Sequence, residues 1–179
     1  LLSGATDVAS ETGDARLLAM IDRVWKNTTR KNMYITGGIG PSAHNEGFTV
    51  DYDLPNLTAY QETCASVALA QWNHRLALLY GDAKYADVFE RSLYNGALAG
   101  VALDGKSFFY VNPLESAGDH HRAPWFGCAC CPPNIARTIA SLGGYSYATG
   151  NDEEGRSLWV NLYIQGEARA KLGDRTVVL

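Results

Sequence analysis

No run in this sequence approaches the roughly 20 consecutive apolar residues that a membrane-spanning helix needs, so none is expected. Positive charge is scarce as well: 15 Lys and Arg stand against 19 Asp and Glu in 179 residues, a formal net charge of −4. With no basic run or stripe and a pI near 5.5, the composition argues against nucleic acid or an anionic membrane surface as the main partner. Cysteine is rare and unevenly placed, four in all with three between positions 128 and 131. A disulfide framework spreads its cysteines, so this clustering favours reduced thiols on a metal and leans toward a cytoplasmic setting. No internal sequence repeat is evident. The chain opens Leu-Leu-Ser without an initiator Met and closes on Val177-Val178-Leu179, which reads as an excerpt from a longer protein. The lack of a signal peptide is then uninformative.

What is present centres on Cys128-Ala129-Cys130-Cys131-Pro132-Pro133-Asn134. Proline is favoured at the first helical positions, and Ile135, Ile139 and Leu142 recur at helical spacing, so the cysteines sit at a predicted helix N-terminus. Free backbone N–H groups and the positive end of the helix dipole favour a thiolate there. Thiolates are both nucleophiles and zinc ligands. A disulfide between adjacent Cys130 and Cys131 would be strained, but buried apolar cysteines remain an alternative. The spacing also lacks the C-x-x-C of ordinary zinc fingers.

Along the chain, residues 1 to 13 are small and polar and predict no regular structure. A helix is expected from the N-cap Asp14 to about Asn27, with Leu17, Leu18, Ile21, Val24 and Trp25 on one face. Met33 to Thr36 suggests a short strand, broken by Gly37-Gly38-Ile39-Gly40-Pro41. That glycine run has neither a Walker ending nor a dinucleotide fingerprint. Residues 41 to 58 form a loop carrying His44, Glu46, Asp51 and Asp53; for the two aspartates solvation is the expectation. A strong helix follows from about Tyr60, and Gly81-Asp82 turns it into a second arm bearing Tyr85, Val88, Phe89, Leu93 and Ala97. His74, in the first arm, is expected to be a hydrogen-bonded structural histidine, and His120-His121 to be solvated. Residues 107 to 111 are expected to be extended. From about residue 151 alternating strands replace helices, with a Gly-Asp turn at 173 and 174.

The fourth cysteine, Cys64, lies two positions after Glu62 at the start of the strongest helix. On a regular helix those side chains point about 200° apart, so both reach one ion only if one belongs to the pre-helical turn. Glu62, Cys64, Cys130 and Cys131 together would suit zinc, which favours tetrahedral sulfur-rich sites. A packed core cysteine and a first-turn glutamate are the plainer alternatives.

Six motifs, taken together, are more specific. Thr36-Gly37-Gly38-Ile39-Gly40, Asn45-Glu46-Gly47-Phe48, Gln61-Glu62-Thr63-Cys64-Ala65, Glu90 to Gly96, Phe109-Tyr110-Val111-Asn112-Pro113-Leu114 and the Cys128 to Asn134 run resemble glycoside hydrolase family 127, the β-L-arabinofuranosidases, in order and much of their spacing. The resemblance covers about residues 30 to 165. It implies a mainly α fold, an (α/α)6 toroid of helical hairpins followed by a β-sandwich. Residues 1–150 would be part of the toroid and 151–179 the truncated start of the sandwich, because twelve helices need more chain than this.

The resemblance also implies a retaining glycosidase acting on a furanoside carbohydrate. Zn2+ would be held by Glu62, Cys64, Cys130 and Cys131, with Cys130 as nucleophile, Glu46 as general acid/base and Tyr110 as a substrate-site residue. Cys128 lies beside the cluster without being a family ligand, and Glu90 has no assigned role. A protonated Glu46 calls for burial near the site. Exposed helical seams would favour association as a homo-oligomer or with further chain. Two other classes stay open: a non-catalytic carbohydrate-binding or scaffold module with a structural zinc, and a redox-sensing cysteine cluster.

Overall fold

The computed structural model describes residues 1–152 and 155–179. Four main helices come first: α1 (Leu2–Thr12), α2 (Ala15–Lys31), α3 (Thr63–Tyr80) and α4 (Ala83–Ser92), followed later by α5 (Cys131–Ala140) and the single turn α6 (Gly143–Ser146). Two antiparallel hairpins close the chain, β1 (Tyr147–Asp152) with β2 (Gly155–Val160) and β3 (Arg169–Leu172) with β4 (Arg175–Val178). No helix among the described residues is long and apolar enough to cross a membrane.

Helix α1 departs from the sequence reading, which left residues 1 to 13 without structure. Its small residues carry little helical signal, and its stability comes from packing. Thr6 and Ala9 are buried against α3, where the Trp72 indole Nε1 donates to Thr6 Oγ1 at 2.9 Å and Arg75 pairs with Asp7. Gly13 then takes the left-handed conformation, φ 65°, that ends the helix, and Asp14 caps α2 by accepting from the N–H groups of Arg16 and Leu17. Ile21 and Trp25 of α2 join Leu69, Trp72 and Leu76 of α3 and Tyr85 and Val88 of α4 in one core. The Trp25 Nε1 donates to Asn73 Oδ1 at 2.7 Å, so this buried amide is satisfied.

The α3–α4 hairpin forms as expected. Gly81 ends α3 at φ 64° with its N–H on Ala77 O, and Asp82 caps α4 through Lys84 N. After Ser92 the helix widens into a π-turn, Leu93–Ala97. There Gly96 passes so close to Ser66 that a Cβ would meet its hydroxyl oxygen.

A second apolar cluster, Ala70, Phe89, Leu93 and Leu162, joins the helices to the segment after β2. Leu162 is fully buried, whereas its neighbour Tyr163 is exposed. The single strand expected over 159 to 164 stops at Val160, because Asn161 and Leu162 donate to Ser146 O and turn inward. Its partner β1 has no clear signature in the sequence. The Gly173-Asp174 turn forms as expected between β3 and β4.

Met33 to Thr36 makes no strand; a lone bridge from Met33 to Ile39 closes a tight loop instead. The glycines of that loop serve close packing. At Gly37, φ 85°, a Cβ would lie 2.8 Å from Ser92 N, and at Gly38 it would strike the Gln61 side chain. His74 is buried, has no hydrogen-bond partner at Nε2 among the described residues, and packs edge-on against Tyr145. Burial and the adjacent Arg75 charge lower its pKa.

Candidate metal centre

The segment before α3 is held by the Phe109 to Asn112 stretch. Thr63 N donates to Tyr110 O at 2.9 Å, Thr63 Oγ1 to Phe109 O, and Asn112 N to Tyr60 O. The Asn112 amide donates to Gln61 O and Thr63 Oγ1, and Gln61 Nε2 returns a bond to Asn112 O at 2.8 Å. These bonds hold the buried Gln61 at φ 39°, a conformation that costs energy for a side chain bearing a Cβ. The consequence is local and useful. Glu62 stands outside α3 as its N-cap residue, ψ 135°, while Cys64 lies in the first turn. The two side chains can therefore converge, as their spacing required.

They converge on the N-terminus of α5. Cys130 caps that helix, Cys131 begins it, and Pro132-Pro133 follow. The Glu62 carboxylate and the three thiols of Cys64, Cys130 and Cys131 offer four donor atoms lying within 4.8 Å of one another. The Cys64 and Cys131 sulfurs are 3.4 Å apart, those of Cys130 and Cys131 3.7 Å, and Glu62 Oε1 is 3.3 Å from the Cys130 sulfur and 3.7 Å from that of Cys131. Zinc–sulfur bonds of about 2.3 Å and zinc–oxygen bonds of about 2.0 Å arranged tetrahedrally imply edges of about 3.5–3.8 Å. The donor set and its spacing fit such an ion. All four cysteines are free.

The thiols by themselves do not share charge easily. Burial raises the pKa of Cys130, and hydrogen bonding with Cys64 together with burial raises that of Cys131. Cys64 moves down, drawn by its bonds from Cys131 and Asn134. Neighbouring thiolates repel, so one ionises at the expense of the others unless a cation joins them.

Tyr110 stands over the cluster with its hydroxyl 3.4 Å from the Cys130 sulfur and its ring edge-on to Phe126. Glu46 shares a cleft with Glu62. It lies in the loop before α3 at φ 50°, within a turn closed by Asn45 and Gly47, and accepts from the Tyr60 hydroxyl at 2.8 Å. A cleft lined by Ile39, Gly40, Glu46, Phe48, Tyr60 and Glu62 joins this acid to the cluster. Glu46 is exposed, not buried as its expected role calls for. Tyr60 packs against Tyr110, with ring centroids 6.2 Å apart.

Cys128 is exposed and outside the four-residue group. Glu90 lies exposed beside Asp87, Arg91, Tyr94 and Asn95, away from the cluster. His120 is not simply solvated: it stacks on Phe109 and bonds to Val111 O. Asp51 accepts from Lys31, Asn27 and Asn32, which hold its carboxyl down at about 2. Sequence reasoning passed over Tyr60, Asn112 and Asn134. Their partners are remote in sequence, and the place of Asn112 and Asn134 within two of the six motifs was the one signal that could have found them.

Residues 2–144 match the GH127 catalytic domain of the β-L-arabinofuranosidases. The non-reducing end β-L-arabinofuranosidase of Bifidobacterium longum subsp. longum is 47% identical over 158 residues, covering 82% of this chain and 24% of that protein. Among solved structures, a GH127 β-arabinofuranosidase superposes with a TM-score of 0.93 at 52% identity, over 99% of this chain and 27% of the other. A GH127 β-L-arabinofuranosidase from Geobacillus stearothermophilus T6 gives 0.91 at 47% identity, over 99% and 29%. The chain thus spans roughly a quarter of the length of these relatives. Since the catalytic-domain match takes in most of the sequence, and both solved relatives share its course throughout, the chain belongs to glycoside hydrolase family 127.

Proposed function

We propose that this chain carries the reaction centre of a retaining β-L-arabinofuranosidase, with Cys130 as nucleophile, Glu46 as general acid/base and zinc as the metal. The single observation behind this reading is the convergence of one carboxylate and three sulfurs within 4.8 Å. Glu62, Cys64, Cys130 and Cys131 would hold the ion, whose charge keeps the Cys130 sulfur ionised at neutral pH.

The chain's own groups then account for each bond change. The Cys130 sulfur attacks the anomeric carbon, and a C–S bond forms as the glycosidic C–O bond breaks. Glu46 gives its proton to the departing oxygen. Tyr110, 3.4 Å from the sulfur, orients it by hydrogen bonding. In the second step the Glu46 carboxylate takes a proton from water, whose oxygen displaces the sulfur. Two inversions retain the anomeric configuration. The scheme is the two-carboxylate template with one carboxylate replaced by a thiolate. Tyr60, bonded to Glu46 at 2.8 Å, sets the direction of that acid in an otherwise exposed loop.

The larger architecture belongs to the same proposal. Residues 1–150 supply helices of an (α/α)6 toroid and 151–179 open a β-sandwich, a reading supported by the order in which helices precede hairpins. Glu46→Gln tests the function. With an arabinofuranoside bearing a good leaving group, this variant is expected to accumulate one pentosyl group on Cys130, seen as a mass increment on that peptide, with metal content unchanged. Sugar binding with no label on Cys130 and no turnover by the wild type would favour the non-catalytic module instead.

A further inference from the structure

The four donors of the cluster carry a formal charge of −4 when ionised, so a bound divalent cation leaves −2 in a site where Cys131 is fully buried. Buried charge of that size needs hydrogen-bond donors aimed at the sulfurs. Helix α5 is poorly equipped to give them from its backbone, because Pro132 and Pro133 have no N–H. Immediately after them, the side chain of Asn134 supplies what the prolines lack. Its Nδ2 lies 3.1 Å from the Cys64 sulfur, and its Oδ1 accepts from Arg137 Nη2 at 2.7 Å. An amide can be turned either way round, but the guanidinium accepts nothing, so the Arg137 bond fixes the oxygen outward and the N–H on the sulfur.

Resting on the metal-centre reading above, we propose that Asn134 and Arg137 form a positioning relay for the metal. Asn134 orients the Cys64 sulfur and stabilises its charge, and Arg137 locks the amide while bringing a positive charge one residue away from the anionic cluster. Cys64 is the ligand that needs such help, since it comes from α3 while Cys130 and Cys131 share α5. Asn134 thus ties the lone α3 sulfur to the helix that carries the other two.

The test is zinc affinity, measured on the whole chain by competition with a chromophoric chelator, together with the sulfur-to-metal charge-transfer bands of the cobalt(II) form. Asn134→Ala is expected to weaken zinc by about 10–100-fold, the usual effect of losing a partner to a ligand, and to shift the cobalt bands. Arg137→Ala, at an exposed position, is expected to give a smaller loss in the same direction, and Arg137→Lys to recover part of it. A merely structural role would lower the melting temperature of these variants and leave affinity and bands alone. If Asn134→Ala fails to fold, Arg137→Ala decides the matter. Wild type that binds zinc, with both variants within twofold of it and spectrally identical, overturns the relay alone. Wild type that binds neither metal overturns the metal-centre reading, and the relay with it.

Discussion

The two ends of α3 are built on opposite principles. At its C-terminal end Gly81 and Asp82 make a tight turn, Leu76 and Trp72 fill an apolar core, and Trp159 borders a hollow of about 490 Å3. At its N-terminal end a buried glutamine with positive φ, two asparagines, two tyrosines and three thiols are tied together by hydrogen bonds, and beside them Glu46, Tyr60 and Glu62 line a cleft of only about 60 Å3. The roomy end has caps and packing but, among the described residues, no cluster of potential metal ligands. The cramped end has strain, crowded sulfurs and shifted pKa values, which are the marks of a functional centre. The larger hollow thus lies away from the four donors.

Substitutions at the cramped end should remove chemistry and spare the fold. Cys130→Ala is expected to cut turnover by about 10⁴-fold or more and to weaken metal binding as well, since it removes the proposed nucleophile and one proposed ligand together; kinetics beside metal analysis check both. Glu46→Gln is expected to lose about 10²–10⁴-fold in kcat with metal content and melting temperature unchanged. At the other end, Leu76→Ala, which empties a fully buried position, is expected to cost about 2–5 kcal/mol by denaturant unfolding while the zinc affinity stays put. An equal loss of metal in that variant would show that the two ends are not separable. Tyr60→Phe removes the bond to Glu46 and is expected to lower kcat about tenfold, a modest figure because the carboxylate is exposed to water.

The smallest effect concerns pH. Burial depresses the His74 pKa in the folded chain, so the unfolded chain takes up the proton first. The neutral histidine's contribution to stability is complete above the unfolded value of about 6.5 and is lost as pH falls below it. The melting temperature should therefore drop on acidification through pH 6, and His74→Phe should flatten that slope.

The difference between the two ends also explains what the sequence made legible. Gly81-Asp82 announced the hairpin because a helix stop and an N-cap are local signals, and the stripe of α3 followed from spacing. The four donors were legible through motif order, and the need for one of Glu62 and Cys64 to sit before the helix followed from helical geometry; that it is Glu62 came from the structure, since the helix was expected from about Tyr60 and begins at Thr63. Helix α1 was not legible, since its stability lies in Trp72 and Arg75, more than 60 positions away. Strand β1 was hidden for a similar reason: Gly150 to Gly155 reads as a polar break, and Tyr147 to Asp152 becomes a strand by pairing with β2. Asn112 and Asn134 look like ordinary polar residues in sequence, and their partners across the fold give them their roles. Glu46 went the other way. Its place beside Tyr60 and Glu62 appears in the structure, but the burial expected of it does not.

The account stands or falls on the cluster itself. Metal analysis with a thiol titration on the purified, reduced chain tests it most directly. The prediction is one zinc per chain, with Cys128 reacting at once and Cys64, Cys130 and Cys131 protected until a chelator removes the ion. A metal-free protein in which Cys64 and Cys130 react as readily as Cys128, with or without chelator, would contradict it.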